Sequence, residues 1–170
     1  MADAIEWLYW DADAFVSYIE KVPGRIDILD ALLKDSASSD SPLQIVTSTI
    51  SVAEVAYIAS ERRGLDPAVE AAIDALWADR DAVKFIDYHH GLGLEARSMI
   101  REAVSTGITG LRAADAIHLA SAKSIAAREV HTYSADWPRF ATMIGCPIRP
   151  PYVRQPMLPA HLLPKEPPSK

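Results

Sequence analysis

Tyr9-Trp10-Asp11-Ala12-Asp13-Ala14-Phe15 is the stretch on which the fold turns. Just before and into it, Ile5 to Trp10 (IEWLYW) is short, aromatic and apolar apart from Glu6, as a buried strand requires. Beyond Asp11, apolar residues fall at Phe15, Ile19 and Val22, spaced four and three apart as on one helix face. A strand therefore runs straight into a helix, with an acid at the junction. In open α/β sheets ligands bind outside the carboxyl ends of strands, so Asp11 is well placed for chemistry if other carboxylates join it.

Working outward, Pro23-Gly24 ends the first helix, and a second is expected over 25–35, burying Ile28, Leu29, Leu32 and Leu33. Ser36 to Pro42 reads as a polar turn. Leu43 to Ser48 (LQIVTS) predicts a second strand, and Thr49 to Arg63 one helix closed by Gly64, with Glu61, Arg62 and Arg63 at its exposed end. Asp66-Pro67 starts another helix, Asp as N-cap and Pro in the first turn, burying Val69, Ile73 and Leu76. Further strands are expected at 82–88 and 129–134, with a fifth, edge strand at 146–149. Helices are expected over 89–106, 111–127 and 137–144. Strands alternating with helices imply an α/β fold, a three-layer α/β/α sandwich around a mostly parallel sheet.

Length fits one domain, since 170 residues can bury roughly 70% of their unfolded surface in a single core. Residues 1–149 form the expected body. Residues 150–170 hold seven of the twelve prolines and should be an extended tail, mobile or draped on the surface, with Met157, Leu158, Leu162 and Leu163 as candidate docking residues. The single Cys146 excludes an internal disulfide, and no apolar run approaches the roughly 20 residues of a membrane helix. A soluble, cytoplasmic protein is expected. The formal charge of −6 argues against a broad phosphate-binding surface unless bound cations reverse the local field.

Four carboxylates break the apolar pattern. Asp11 ends the first strand. Glu54 interrupts an apolar stripe, with Ile50, Ser51, Tyr57 and Ile58 at three and four residues' distance. Asp115 shares a face with Leu111 and Leu119 near the start of its helix, and Asp136 follows the fourth strand. Each has an ordinary structural explanation as a helix cap, a dipole partner or a half-exposed acid. Together they point to one edge of the sheet. Such a cluster stays ionised only with cations present, and hard divalent ions such as Mg²⁺ or Mn²⁺ are the natural partners of carboxylate oxygens. A carboxylate-held metal pair is a standard device for phosphodiester hydrolysis.

In chain order, Trp10-Asp11-Ala12-Asp13-Ala14-Phe15, Ser48 six residues before Glu54, Asp115-Ala116-Ile117-His118-Leu119-Ala120, and Ser134-Ala135-Asp136-Trp137-Pro138-Arg139-Phe140 resemble the PIN domain. They look most like the VapC-type ribonuclease toxins of prokaryotic toxin–antitoxin pairs. The resemblance spans about residues 5–149. It implies an α/β/α sandwich whose acids bind Mg²⁺ or Mn²⁺ for RNA hydrolysis, a cognate antitoxin that inserts residues into the site, and a homodimer. Carried over residue by residue, it implies that Asp11, Glu54, Asp115 and Asp136 are catalytic, with Asp11, Asp115 and Asp136 on the metal. Ser48 and Ser134 match small hydroxyl positions beside the acids. Asp13 stands where the family usually has Asn, Ser or Thr, as a supporting group or as additional charge.

Setting the four acids aside takes the formal charge from −6 to −2. No basic stripe remains. Arg112 and Arg139, nearest the acids in sequence, are the leading candidates for RNA contacts, to a short single-stranded or loop segment. His89, His90, His118 and His131 form no zinc spacing with Cys146, and His118 is expected to pack near the site. Two other functions stay open. Asp11-x-Asp13 after a strand resembles the nucleophile and acid of haloacid-dehalogenase-type phosphatases, although Ala14-Phe15 and the missing Gly-Asp-x-x-x-Asp motif oppose it. A non-catalytic interaction module is the other, opposed by the presence of all four acids.

Overall fold

The computed structural model describes residues 4–153. The docking residues expected at 157–163 lie outside them. Five parallel strands form one sheet in the order β3-β2-β1-β4-β5, where β1 is Glu6–Trp10, β2 Leu43–Ser48, β3 Val83–Ile86, β4 Glu129–His131 and β5 Ile148–Arg149. Among the described residues the α-helices are α1 Ala12–Ile19, α2 Ile26–Ala37, α3 Ile50–Glu54, α4 Pro67–Ala78, α5 His90–Ser105, α6 Ala113–Ser124 and α7 Ala141–Ile144. Short 3-10 turns occupy Ala59–Arg63 and Trp137–Phe140. The expected α/β/α sandwich is what forms.

Alternation along β1 explains the three layers. Leu8 and Trp10 face one side and pack with Phe15 of α1, Leu29, Leu32 and Leu33 of α2, and Ile73 and Leu76 of α4. Trp7 and Tyr9 face the other, against Leu92, Ala96 and Met99 of α5 and Leu119 of α6. A central strand buried on both faces needs near-continuous apolar character, which IEWLYW supplies. Trp10, Phe15, Trp77 and Phe85 extend a ladder of tilted rings across the first layer, with centroids 5.3, 4.9 and 5.6 Å apart. Each fully buried large apolar side chain contributes about 1.5–3 kcal/mol.

The strand order makes a switch point. The chain steps outward from β1 to β2 to β3, then returns to place β4 on the other flank of β1. Connections therefore diverge at the carboxyl ends of β1 and β4 and leave a crevice there.

Three local expectations are corrected. The helix expected over 49–63 is broken: α3 stops at Glu54, and the 3-10 turn begins only at Ala59. The cause is Glu61, which is buried rather than exposed. Its carboxylate accepts the backbone N–H groups of Ile58 (3.1 Å), before the 3-10 turn, and of Asp66 (2.8 Å), the residue that caps α4. Strand β4 ends at His131 rather than Ser134, because Thr132 turns its hydroxyl to Asp11 and then accepts the Ser134 N–H (2.9 Å). Ser36, assigned to a turn, is instead buried at the end of α2, donating to the Ala82 carbonyl (2.7 Å) and accepting from Ile45 N–H (2.8 Å). Past β5, Pro151 is buried and the Tyr152 hydroxyl donates to Glu129 (3.0 Å).

Candidate active site at the sheet's switch point

Asp11 stands at the mouth of this crevice. Its backbone N–H extends the β1–β4 ladder to the His131 carbonyl (3.3 Å). Oδ1 accepts the Ala14 N–H (3.2 Å), so Asp11 does cap α1. Oδ2 accepts the Thr132 hydroxyl at 2.6 Å, a bond that spans the switch point from β1 to β4. The side chain is buried. Burial pushes its carboxyl up to about 7, against the pull of the Thr132 bond and with a further push from neighbouring Asp13.

Glu54 reaches the same edge from the end of the five-residue α3, not from the middle of an apolar stripe. With the helix ended, Tyr57 points to solvent instead of stacking a turn away. Glu54 Oε2 lies 2.6 Å from His118 Nε2, and His118 Nδ1 lies 2.7 Å from the Tyr9 hydroxyl. The same hydroxyl accepts the Ser48 N–H (3.1 Å). Tyr9 and His118 are both buried, and burial holds the phenol well above its ordinary range. Thus Ser48 enters the site through its backbone rather than as a hydroxyl beside the acids.

Asp115 sits in the first turn of α6, with its side chain 14% exposed. Arg112, just before the helix, donates from Nε to Oδ2 (3.1 Å) and from Nη2 to Oδ1 (3.4 Å). The Arg112 side chain is 82% exposed and also lies within the fields of Glu54 and Asp13. One cation therefore answers three acids. Asp13, in the first turn of α1, is itself exposed. The second arginine, Arg139, lies over the Phe140 ring and beside Gly110, whose φ of +84° favours glycine. A Cβ at Gly110 would stand 3.2 Å from the Arg139 guanidinium, so Arg139 borders the loop that carries Arg112.

Asp136 is the outlier. It is exposed, lies in the turn beyond β4, and does not cap the 3-10 turn that follows. No contact among the described residues joins it to the other acids. Ser134, its expected hydroxyl neighbour, contributes only its backbone N–H. The hydroxyl that touches an acid is Thr132. Neither Thr132 nor Tyr9 stands out in the sequence, where a threonine at a strand end and a tyrosine in an aromatic strand are ordinary.

Whether these residues suit a divalent ion is a question of donors and arrangement. The donors are hard carboxylate oxygens, the kind Mg²⁺ and Mn²⁺ prefer, and a guanidinium already stands among Asp115, Glu54 and Asp13. The arrangement is not ready-made: among the described residues no three His, Cys, Asp or Glu side chains form a group able to hold one ion. Asp11 is engaged by Thr132, Glu54 by His118 and Asp115 by Arg112. The residues fit in kind, and Arg112, 82% exposed, is the group that would yield.

The chain matches the family model of the PIN domain over residues 8–142. In fold it is similar to a chain of VapBC2 from Rickettsia felis, solved bound to a DNA fragment from their promoter, at 16% identity and a TM-score of 0.62, covering 84% of this chain and 96% of that one. It is similar to a chain of the DNA-bound VapBC of Salmonella typhimurium at 16% identity and a TM-score of 0.58, covering 85% and 96%. A chain of FitAcB from Neisseria gonorrhoeae matches at 15% identity and a TM-score of 0.56, covering 85% and 97%. No curated protein matches by sequence. Among the described residues no helix is long and apolar enough to cross a membrane. With the family model covering most of the body, the chain belongs to the PIN domain family, a family of nucleases.

Proposed function

We propose that this protein is a Mg²⁺- or Mn²⁺-dependent endoribonuclease, acting as the toxin of a toxin–antitoxin pair. The observation that carries the reading is the Arg112 guanidinium paired with Asp115 and within the fields of Glu54 and Asp13, at the end of the sheet where Asp11 closes β1. An exposed arginine that answers the charge of Asp115, Glu54 and Asp13 marks a place where positive charge can be exchanged. Asp11, Asp115 and Asp136 would hold the ion. When bound, it supplies an acidified water and neutralises charge building on the phosphodiester oxygens.

The chain's own residues do the rest. Glu54 is positioned to orient a water through its second oxygen and to take up a proton. Thr132 keeps Asp11 aimed into the crevice. Arg112, once displaced from Asp115, and Arg139 on the adjoining loop are free to pair with RNA phosphates. The VapBC and FitAB structures are toxin–antitoxin complexes, which supports a cognate antitoxin as the partner here. Homodimerisation and a cytoplasmic location complete the proposal.

Purified protein should cleave single-stranded RNA with Mg²⁺ and lose cleavage when the ion is chelated. Asp115→Asn should lower the rate by about 10²-fold or more, the scale expected when a group that stabilises transition-state charge is removed. A variant that cleaves as fast as the parent would sink the site assignment.

A further inference from the structure

The contact between His118 and Glu54 has a direction, and the direction assigns a role. Tyr9 is fully buried in the central strand, and its hydroxyl accepts the Ser48 N–H (3.1 Å). A backbone N–H can only donate, so the phenol keeps its proton for a side-chain acceptor, and His118 Nδ1 lies 2.7 Å away. An imidazole that accepts at Nδ1 carries its proton on Nε2. That proton faces Glu54 Oε2 at 2.6 Å. In that tautomer the hydrogen bonds run one way from the β2 backbone to the carboxylate: Ser48 to Tyr9, Tyr9 to His118, His118 to Glu54.

The imidazole has little freedom to do otherwise. It is 2% exposed, meets the Tyr9 ring edge-on with centroids 5.8 Å apart, and packs against Trp137 at 6.0 Å. Glu54 is different. It is the last residue of a five-residue helix, its side chain is about one third exposed, and the next residue, Val55, leaves helical geometry. A carboxylate on so short a support would sample several rotamers, and a second hydrogen bond from a rigid group removes that freedom.

We infer that Tyr9 and His118 are positioning residues for Glu54: a buried relay anchored on strand β2 that holds one carboxylate oxygen and leaves the other for the reacting water. The inference rests on the proposal that Glu54 is catalytic. It adds that Glu54 works only when tethered from the core, so that two residues touching neither substrate nor ion set the rate.

The test is a double-mutant cycle on the full chain, cleaving a single-stranded oligoribonucleotide in Mg²⁺, with thermal unfolding measured for every variant. Glu54→Gln should lower kcat by about 10²-fold or more. His118→Leu should lower kcat by about 10- to 100-fold with KM little changed, the loss typical when an orienting partner is removed. His118→Gln places an amide N–H the same number of bonds from the backbone as Nε2 and should recover most of that loss. In the Glu54→Gln background, His118→Leu should cost nothing more. Tyr9→Phe removes only the phenol oxygen and serves if His118→Leu does not fold; it too should lower kcat while sparing KM.

A folded His118→Leu or Tyr9→Phe that cleaves like the parent, beside an inactive Glu54→Gln, overturns the relay and leaves the nuclease site standing. Losses that add in the double variant overturn it as well. A fully active Glu54→Gln overturns the catalytic assignment of Glu54 itself, and the relay with it.

Discussion

His118 and His131 are buried to nearly the same degree, 2% and 1% exposed, on opposite faces of the same sheet. Their surroundings differ in kind. His118 has a partner at each ring nitrogen, Tyr9 on one side and Glu54 on the other. His131 has no hydrogen-bond partner at either nitrogen among the described residues, although its Nε2 stands 3.4 Å from Glu129 Oε2. That glutamate is engaged elsewhere, by Arg149 Nε (3.1 Å) and the Tyr152 hydroxyl (3.0 Å). His131 lines a cavity of about 360 Å³ beneath α2, and burial pulls its pKa down to about 4. Two histidines, equally hidden, thus do different things. One transmits orientation because both of its ends are held; the other only resists charge. Burial does not make a polar group functional; its partners do.

The sharpest break between the two regions should come from pH. Asp11 at the site is raised from an ordinary 3.8 to about 7, so its neutral form is favoured by folding. The stability it contributes is full below pH 3.8 and is lost as pH rises through 7, a swing on the order of 4 kcal/mol. His131 runs the other way. Its pKa falls from 6.5 to about 4, so the stability it contributes is present above 6.5 and lost as pH falls through 4, on the order of 3 kcal/mol. Across pH 4–7 the two offset each other. In ion-free buffer, urea unfolding of Asp11→Asn should show stability climbing with pH, whereas His131→Phe should show it falling. Parallel curves for the two variants would contradict the opposed roles.

Catalysis should separate the histidines next. With His118→Leu expected to lose 10- to 100-fold, His131→Phe should keep RNA cleavage within about twofold of the parent, since its imidazole makes no hydrogen bond to Asp11, Glu54 or Asp115 and the backbone bond to Asp11 is kept. A comparable loss in both would mean that general packing, not the Tyr9–His118–Glu54 connection, governs the rate.

The smallest expected effect lies at the exposed end of the site. Arg112→Ala removes the resident cation from Asp115 and should tighten Mg²⁺ binding a few-fold at low ionic strength, by calorimetric titration, while weakening RNA binding. Because that side chain is 82% exposed, the gain should shrink as salt is added. Unchanged affinity would mean that Arg112 does not compete for the acids.

Much of this architecture was legible along the chain. IEWLYW, LQIVTS and the Asp66-Pro67 helix start announce themselves through periodicity and capping chemistry, which are local. The break after Glu54 was not legible. Its cause is a buried Glu61 whose two acceptors choose partners at Ile58 and Asp66, and a surface-type residue between charged neighbours carries no sign of that. The acids Asp11, Glu54 and Asp115 stood out because each interrupts an apolar pattern. Thr132 and Tyr9 did not, because a threonine at a strand end and a tyrosine in an aromatic strand break no pattern at all.

By itself, then, the sequence determined which segments are strands, that the sheet is parallel and covered on both sides, and which carboxylates interrupt the apolar pattern. These follow from spacing within a dozen residues. Tertiary structure alone decided who holds each carboxylate: Thr132 for Asp11, 121 residues away; His118 for Glu54, 64 residues away; and Arg112, exposed, for Asp115. Hydrogen bonds are short-ranged and directional, so partners distant in sequence meet only once the strand order β3-β2-β1-β4-β5 has brought their elements side by side.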